Sequence, residues 1–216
     1  MHTYSTDNDK RVKVAAGLGI LSYLVTSNLD FLIRLFQPFT PFGLDPTVVS
    51  TGMVLSAVLI LFERRVWSAR VLRSLGVVAV PDLSGHWEGT LTPIESATAG
   101  DEEYKSGDEV EIELKIRQTW RRIVIQLETE DSISESLGAS FITNKIDPKI
   151  HYYYENTPKP GTSQTMSPHR GSAELTVIDQ GELRGRYYTG PDRQSYGEIR
   201  LQKKRKASLK SRILSE

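Results

Sequence analysis

Four histidines, no cysteine and no serine in a nucleophile motif leave this chain little with which to do covalent or metal chemistry. His2, His86, His151 and His169 show none of the spacings that gather ligands around a metal ion. The missing cysteine removes thiolate ligands and any disulfide framework, and suits a reducing compartment. No G-x-S-x-G elbow, P-loop or dinucleotide fingerprint is present. Asp and Glu mostly take the outward positions of alternating segments. The expectation is a protein that is not an enzyme and needs no cofactor.

Polar and aromatic residues gathered at the ends of predicted strands point instead to binding. Gln118, Thr119 and Trp120 lie where one strand hands over to the next. Ser132, Ser134 and Ser136 alternate, so all three share one side of a strand. Tyr152 and Tyr154 share the face of Ile150, and Asn156 continues it. Leu183, Gly185, Tyr187 and Thr189 form another such line, with Arg193 just beyond. Aromatics that stack on bases, hydroxyls and an amide that read base edges, and an arginine for phosphate would make a nucleotide pocket. The same tyrosines would equally serve to fill a barrel core with their hydroxyls at its mouth.

The elements that must position these residues are strands. From Leu83 onward the hydrophobic period is two, as in Val110, Ile112, Leu114 and Ile116 between Glu111, Glu113, Lys115 and Arg117. Trp87–Leu91, Val110–Arg117, Ile123–Leu127, Phe141–Ile146, Ile150–Asn156, Ala173–Asp179, Leu183–Thr189 and Tyr196–Leu201 are the predicted strands, with a polar Ser/Glu run up to Ser140 between the third and fourth. One apolar face per strand and short sequential connectors predict an all-β, about eight-stranded up-and-down barrel.

Ahead of this domain lie two apolar runs, Val14–Leu29 and Pro46–Phe62, of sixteen and seventeen uncharged residues. Both are short of the roughly 20 residues of a spanning helix unless flanking residues such as Phe31–Phe36 join in. The connector Phe36–Asp45, with Pro38, Pro41 and Gly43, breaks any helix. Together they predict a two-helix transmembrane hairpin. Small residues recur at helical spacing in Ala15/Gly19, Ser22/Thr26 and Gly52/Ser56, a pattern that lets helices approach in lipid. Lys10, Arg11 and Lys13 before the first run and Arg64, Arg65, Arg70 and Arg73 after the second place both termini in the cytoplasm. The expected organisation is therefore residues 1–75 as hairpin and basic linker, 76–203 as ligand-binding barrel and 204–216 as basic tail. Lys+Arg and Asp+Glu balance at 27 each, so no DNA or RNA polymer is expected as a partner.

The order of these motifs resembles the two-transmembrane β-barrel receptors of bacterial CBASS anti-phage systems. The resemblance rests on Pro81-Asp82-Leu83-Ser84-Gly85-His86-Trp87-Glu88-Gly89-Thr90, Gln118-Thr119-Trp120, the Ser132/Ser134/Ser136 run, Tyr152-Tyr153-Tyr154-Glu155-Asn156, His169-Arg170-Gly171 and Leu183-Arg184-Gly185-Arg186-Tyr187-Tyr188-Thr189. It implies an effector in the inner membrane whose barrel receives a cyclic dinucleotide from a partner CD-NTase synthase. Binding would drive self-association, and the hairpin would then disrupt membrane lipid and abort the infection. Within a pocket so implied, Trp120, Tyr152 and Tyr154 are candidates for base packing, Ser134, Asn156 and Thr189 for hydrogen bonding, and Arg193 for phosphate. Gly85-His86-Trp87 also matches the opening of lipocalin-like carriers, and a membrane-tethered protein scaffold is a third reading.

Overall fold

A computed structural model describes residues 1–7, 10–29, 31, 50–96, 108–161, 167–179, 181–190 and 195–204. The chain forms two compact units, Met1–Asp7 with Val80–Glu216, and Asn8–Ala79. In the first unit, β2 (Gly85–Ser96), β3 (Val110–Gln118), β4 (Arg122–Glu128), β5 (Ser132–Ile142), β6 (Lys149–Pro158), β7 (His169–Val177), β8 (Glu182–Thr189) and β9 (Ser195–Lys203) run in sequential antiparallel order. β9 returns to pair with β2, from Trp87 opposite Lys203 to Ser96 opposite Ser195, and closes the barrel.

Alternation builds the core. Ile112, Leu114 and Ile116 of β3 are buried while Glu111 and Glu113 are exposed, and each strand of the eight sends at least one large apolar side chain inward. Trp87, Leu114, Ile125, Phe141, Ile150, Leu175, Leu183, Ile199 and Leu201 are each no more than 1 % exposed. Full burial of such a side chain is worth about 1.5–3 kcal/mol. Trp87 donates its indole N–H to Leu83 O at 3.0 Å and carries the Lys203 ammonium 5.0 Å from its ring centre.

A ninth strand completes the wall. β1 (His2–Thr6) pairs antiparallel with β4, His2 opposite Ile123, and parallel with β5, Tyr4 opposite Ala139 to Thr6 opposite Phe141. β4 and β5 meet directly only from Gln126–Glu135 to Glu128–Ile133. Below that a bulge between Ser136 and Gly138 turns β5 away, and β1 fills the gap. The Ser136 hydroxyl accepts from Ile125 N–H at 2.9 Å and meets His2 Nε2 at 2.8 Å. Tyr4 donates to Trp120 O at 2.6 Å and sets its ring edge on Phe141 at 5.1 Å. Asp7 accepts from Thr143 N–H at 2.9 Å, from the Thr143 hydroxyl at 2.8 Å and from Asn144 N–H at 3.1 Å. The sequence places residues 1–7 with the hairpin; the structure places them in the barrel.

The polar run before Phe141 is also a strand. β5 covers Ser132–Ile142, so the predicted strand Phe141–Ile146 ends early and begins much sooner. Its inward residues there are serines, which give no hydrophobic contrast with the outward Ile133 and Glu135.

In the second unit α1 (Arg11–Ser27) packs on α2 (Thr51–Arg64), followed by a 3₁₀ turn at Val66–Ser68 and α3 (Arg70–Ser74). Ser50 caps α2 by accepting from Met53 N–H at 3.3 Å. Lys10 Nζ donates to Gly76 O at 2.8 Å. Ser22 is fully buried, whereas a Cβ on Gly19 would meet nothing within 4 Å. The helices span about 25 and 21 Å at 1.5 Å per residue, against about 30 Å of bilayer hydrocarbon. Among the described residues no helix is long and apolar enough to cross a membrane. The connector and the flanks that would lengthen both predicted spans, residues 32–49, lie outside the described residues.

The β1 contacts give two expectations. Tyr4→Ala should lower barrel stability by about 3 kcal/mol or more, with amide exchange accelerating at Ile123 and Ala139 more than at Leu175. Uniform acceleration throughout the barrel would contradict a local seam. Desolvation raises the Asp7 pKa, but the bonds from Thr143 and Asn144 together outweigh it and hold the carboxyl below its usual range. A depressed folded pKa stabilises above the unfolded value, and the gain is lost as pH falls through the folded one. The stability deficit of Asp7→Asn should therefore shrink as an acid titration proceeds; a constant deficit would uncouple Asp7 from folding.

Candidate functional site

Successive turns of an up-and-down barrel alternate between its two ends. The links β4–β5, β6–β7 and β8–β9 share one end, the mouth, and β3–β4, β5–β6 and β7–β8 share the other, the base. At the mouth a cavity of about 100 Å³ opens into the barrel.

Its lining has two levels. Leu91, Pro93, Val110, Leu127, Ala173 and Ile199 supply apolar walls, with Tyr152, Tyr154 and Tyr187 among them. Thr129, Ser132, Ser134, Asn156, His169, Thr189 and Ser195 form a polar rim drawn from β4 to β9 and their turns. Among the described lining residues there is no Asp, Glu, Lys or Arg.

The tyrosines are seated by glycines on neighbouring strands. A Cβ on Gly171 would stand 2.4 Å from the Tyr154 hydroxyl, and one on Gly197 would stand 2.6 Å from the Tyr187 ring. Tyr152 and Tyr154 are tilted at 52° with centroids 6.2 Å apart. Burial, with a smaller effect from Tyr154, pushes the Tyr152 phenol's pKa well up, so it stays neutral. The Ser134 hydroxyl donates to Asn156 Oδ1 at 3.1 Å, which fixes the amide and leaves its Nδ2 donors for another partner. His169 stands opposite Asn156 in register, and its Nδ1 meets Ser167 O at 3.2 Å. The Thr189 hydroxyl accepts from Ser195 N–H at 2.7 Å, and the Thr129 hydroxyl accepts from Ser132 N–H at 3.0 Å. Both threonines thereby tie strand ends at the rim. Just outside, Lys159 Nζ donates to Thr129 O at 2.7 Å and pairs with Glu128 at 2.9 Å. Hydrogen bonds from Lys159, then from Lys115, hold the Glu128 carboxyl below its ordinary pKa.

Of the residues picked out from sequence, Ser134, Tyr152, Tyr154, Asn156 and Thr189 line this one cavity. Trp120 does not. It sits in the β3–β4 turn at the base, buried, with its carbonyl under the Tyr4 hydroxyl. Counting strands fixes this: the turn after β3 opens on the end opposite those after β6 and β8. Arg193 lies outside the described residues. Ser132 and Tyr187, which share predicted faces with these candidates, also line the cavity, as do His169 and Ser195, to which the sequence assigns no binding role. The period-two line through Thr189 points to Tyr187, whereas His169 needs the β6–β7 register.

The family described as Cap15, cyclic dinucleotide receptor domain, matches residues 78–203. CD-NTase-associated protein 15 of Yersinia aleksiciae is 30% identical over 195 residues, covering 87% of this chain and 86% of that protein. CD-NTase-associated protein 15 of Staphylococcus schleiferi is 27% identical over 142 residues, 66% of this chain and 70% of that one. A closed barrel with one polar-rimmed, tyrosine-lined mouth is thus what this sequence builds from the matched segment, and the chain belongs to the Cap15 cyclic dinucleotide receptor domain family.

Proposed function

We propose that this protein is a membrane-anchored cyclic-dinucleotide receptor acting as a non-enzymatic effector in a bacterial CBASS anti-phage system. The observation that carries the reading is the mouth cavity, with its rim of hydroxyls and an amide above tyrosines, inside the segment matched to the receptor family. One base enters between the tyrosines. The Asn156 amide, held by Ser134, donates to an acceptor on its edge. The sugar–phosphate ring stays at the rim, where the neutral cavity asks for no buried phosphate. Arg193, from the β8–β9 link, is the proposed phosphate partner. The names of the relatives support a CD-NTase as the source of the ligand.

The output belongs to the N-terminal apolar runs. On this reading Val14–Leu29 and Pro46–Phe62, with their flanks, form the hairpin in the inner membrane, with both termini in the cytoplasm. The basic residues before and after the pair support that orientation. Ligand binding shifts the protein towards a self-associated state by the difference in affinity for the two states. The assembled hairpins then disrupt the bilayer.

Calorimetric titration of the full chain in detergent micelles with a panel of cyclic dinucleotides tests the receptor. At least one should bind, Asn156→Ala should weaken it by about tenfold or more, and Trp120→Phe should leave it unchanged. Failure of every cyclic dinucleotide to bind a protein that melts cooperatively would sink the reading. For the output, the chain reconstituted in dye-loaded vesicles should release dye when the same ligand is added. Tight binding with no release would confine the proposal to a receptor without membrane action.

A further inference from the structure

Between β4 and β5, at the base, lies a groove that their own hairpin does not fill. Its edges are Arg122 and Ile123 on β4 and Ala139 to Phe141 on β5, and β1 pairs with both. The segment 78–203 matched to the receptor family contains these edges but not the strand between them. Elsewhere the wall closes without β1, with nine registered pairs joining β2 to β9. The barrel therefore builds the groove, and the occupant comes from outside the matched segment.

The groove reads that occupant by side chain as well as backbone. Tyr4 N–H donates to Arg121 O at 3.3 Å and Asp7 N–H to Phe141 O at 3.2 Å, bonds that most residues could make. Tyr4 is buried, with its ring edge on Phe141 and its hydroxyl on Trp120 O. Three residues later the Asp7 carboxylate accepts from Thr143 N–H and Asn144 N–H. Thr3 and Ser5, which flank Tyr4, are exposed. The groups that hold β1 by its side chains are polar: the Ser136 hydroxyl, Trp120 O and the two turn N–H groups. Water can replace β1 at each of them.

We propose that this groove is a docking site for an extended peptide carrying a phenol and, three residues on, a carboxylate. Residues 2–7 are its resident occupant and leave it without unfolding the barrel. Strand addition of this kind draws affinity from main-chain bonds and selectivity from alternate side chains. Attachment in the same chain gives the resident a high effective concentration, which keeps the site filled. α1 begins at Arg11, four residues past Thr6, so a seated β1 is a short strap on that helix and its release lengthens the tie. The groove lies at the end opposite the mouth, so the inference stands whether or not the cavity takes a nucleotide.

A chain lacking Met1–Asp7 but otherwise complete, held in detergent micelles, leaves the groove empty. It should melt cooperatively below the parent, and a synthetic peptide of residues 1–8 should raise its melting temperature with dose. Fluorescence anisotropy of the labelled peptide should show saturable binding to the shortened chain. Peptides carrying Tyr4→Ala or Asp7→Ala should bind about tenfold or more weakly. The parent, its groove already filled, should take up none at the same concentration. A shortened chain that does not fold even with the peptide would overturn the proposal, because β1 would then be integral to the barrel. So would a folded one that binds no peptide, equal binding of either variant peptide, or equal uptake by the parent.

Discussion

A barrel closes only when every strand edge finds a partner, because unpaired N–H and C=O groups are costly when buried and open to wrong pairing when exposed. In this protein β4 and β5 cannot meet that demand by themselves. Their direct ladder spans three pairs near the mouth, and the bulge at Ser136–Gly138 splays them below it. β1 supplies the missing partner to both, antiparallel on one side and parallel on the other. The strand that seals the wall therefore comes from ahead of the helices, outside the segment 78–203 matched to the receptor family. Chain order and fold order differ at the place where the base is made.

That constraint divides the barrel into two chemically unlike halves. At the base Trp87, Phe141 and Tyr4 are packed tightly and their polar atoms are satisfied within the wall. Serine at 136 belongs to this half: its hydroxyl stands in for the ladder bond that Ile125 N–H loses where β5 bends away. Two residues further from the bend Ser134 turns to a different task and orients Asn156. One alternating run of serines thus passes from sealing a seam to shaping a cavity, and its position along β5 decides which.

Strand existence was legible because the outward charges of β3, β4 and β8 contrast with inward aliphatics. Where the inward residues are themselves polar, as at Ser132 and Ser134, the contrast vanishes and only the Ser–Ile–Ser–Glu alternation remains. β1 gave no signal: five residues without hydrophobic alternation, whose partners lie more than a hundred positions away. The clustering of Tyr152, Tyr154, Asn156 and Thr189 followed from period two and shared strand ends. Trp120 shares the aromatic character of that group but not its end of the barrel, and composition carries no information on which end a turn occupies. The apolar runs at 14–29 and 46–62 do contain helices, yet α1 and α2 are shorter than a span, and hydropathy alone does not fix where a helix stops.

The absence of charge among the described lining residues constrains how an anionic ligand sits. Burying a phosphate without a cation costs several kcal/mol, more than the hydrogen bonds of a hydroxyl rim return. A base has no such cost, and stacking on tyrosine favours it. In the receptor proposed above, the base would therefore sit among the tyrosines and the phosphates above the rim. The described residues at that rim are tied to one another, Ser132 to Thr129, Ser195 to Thr189, and Lys159 across to Thr129 and Glu128. Lys159 stands beside that rim as an ion pair with Glu128. A ligand held at that rim would bear on β4 and β5 where they meet directly, at the three pairs from Gln126–Glu135 to Glu128–Ile133.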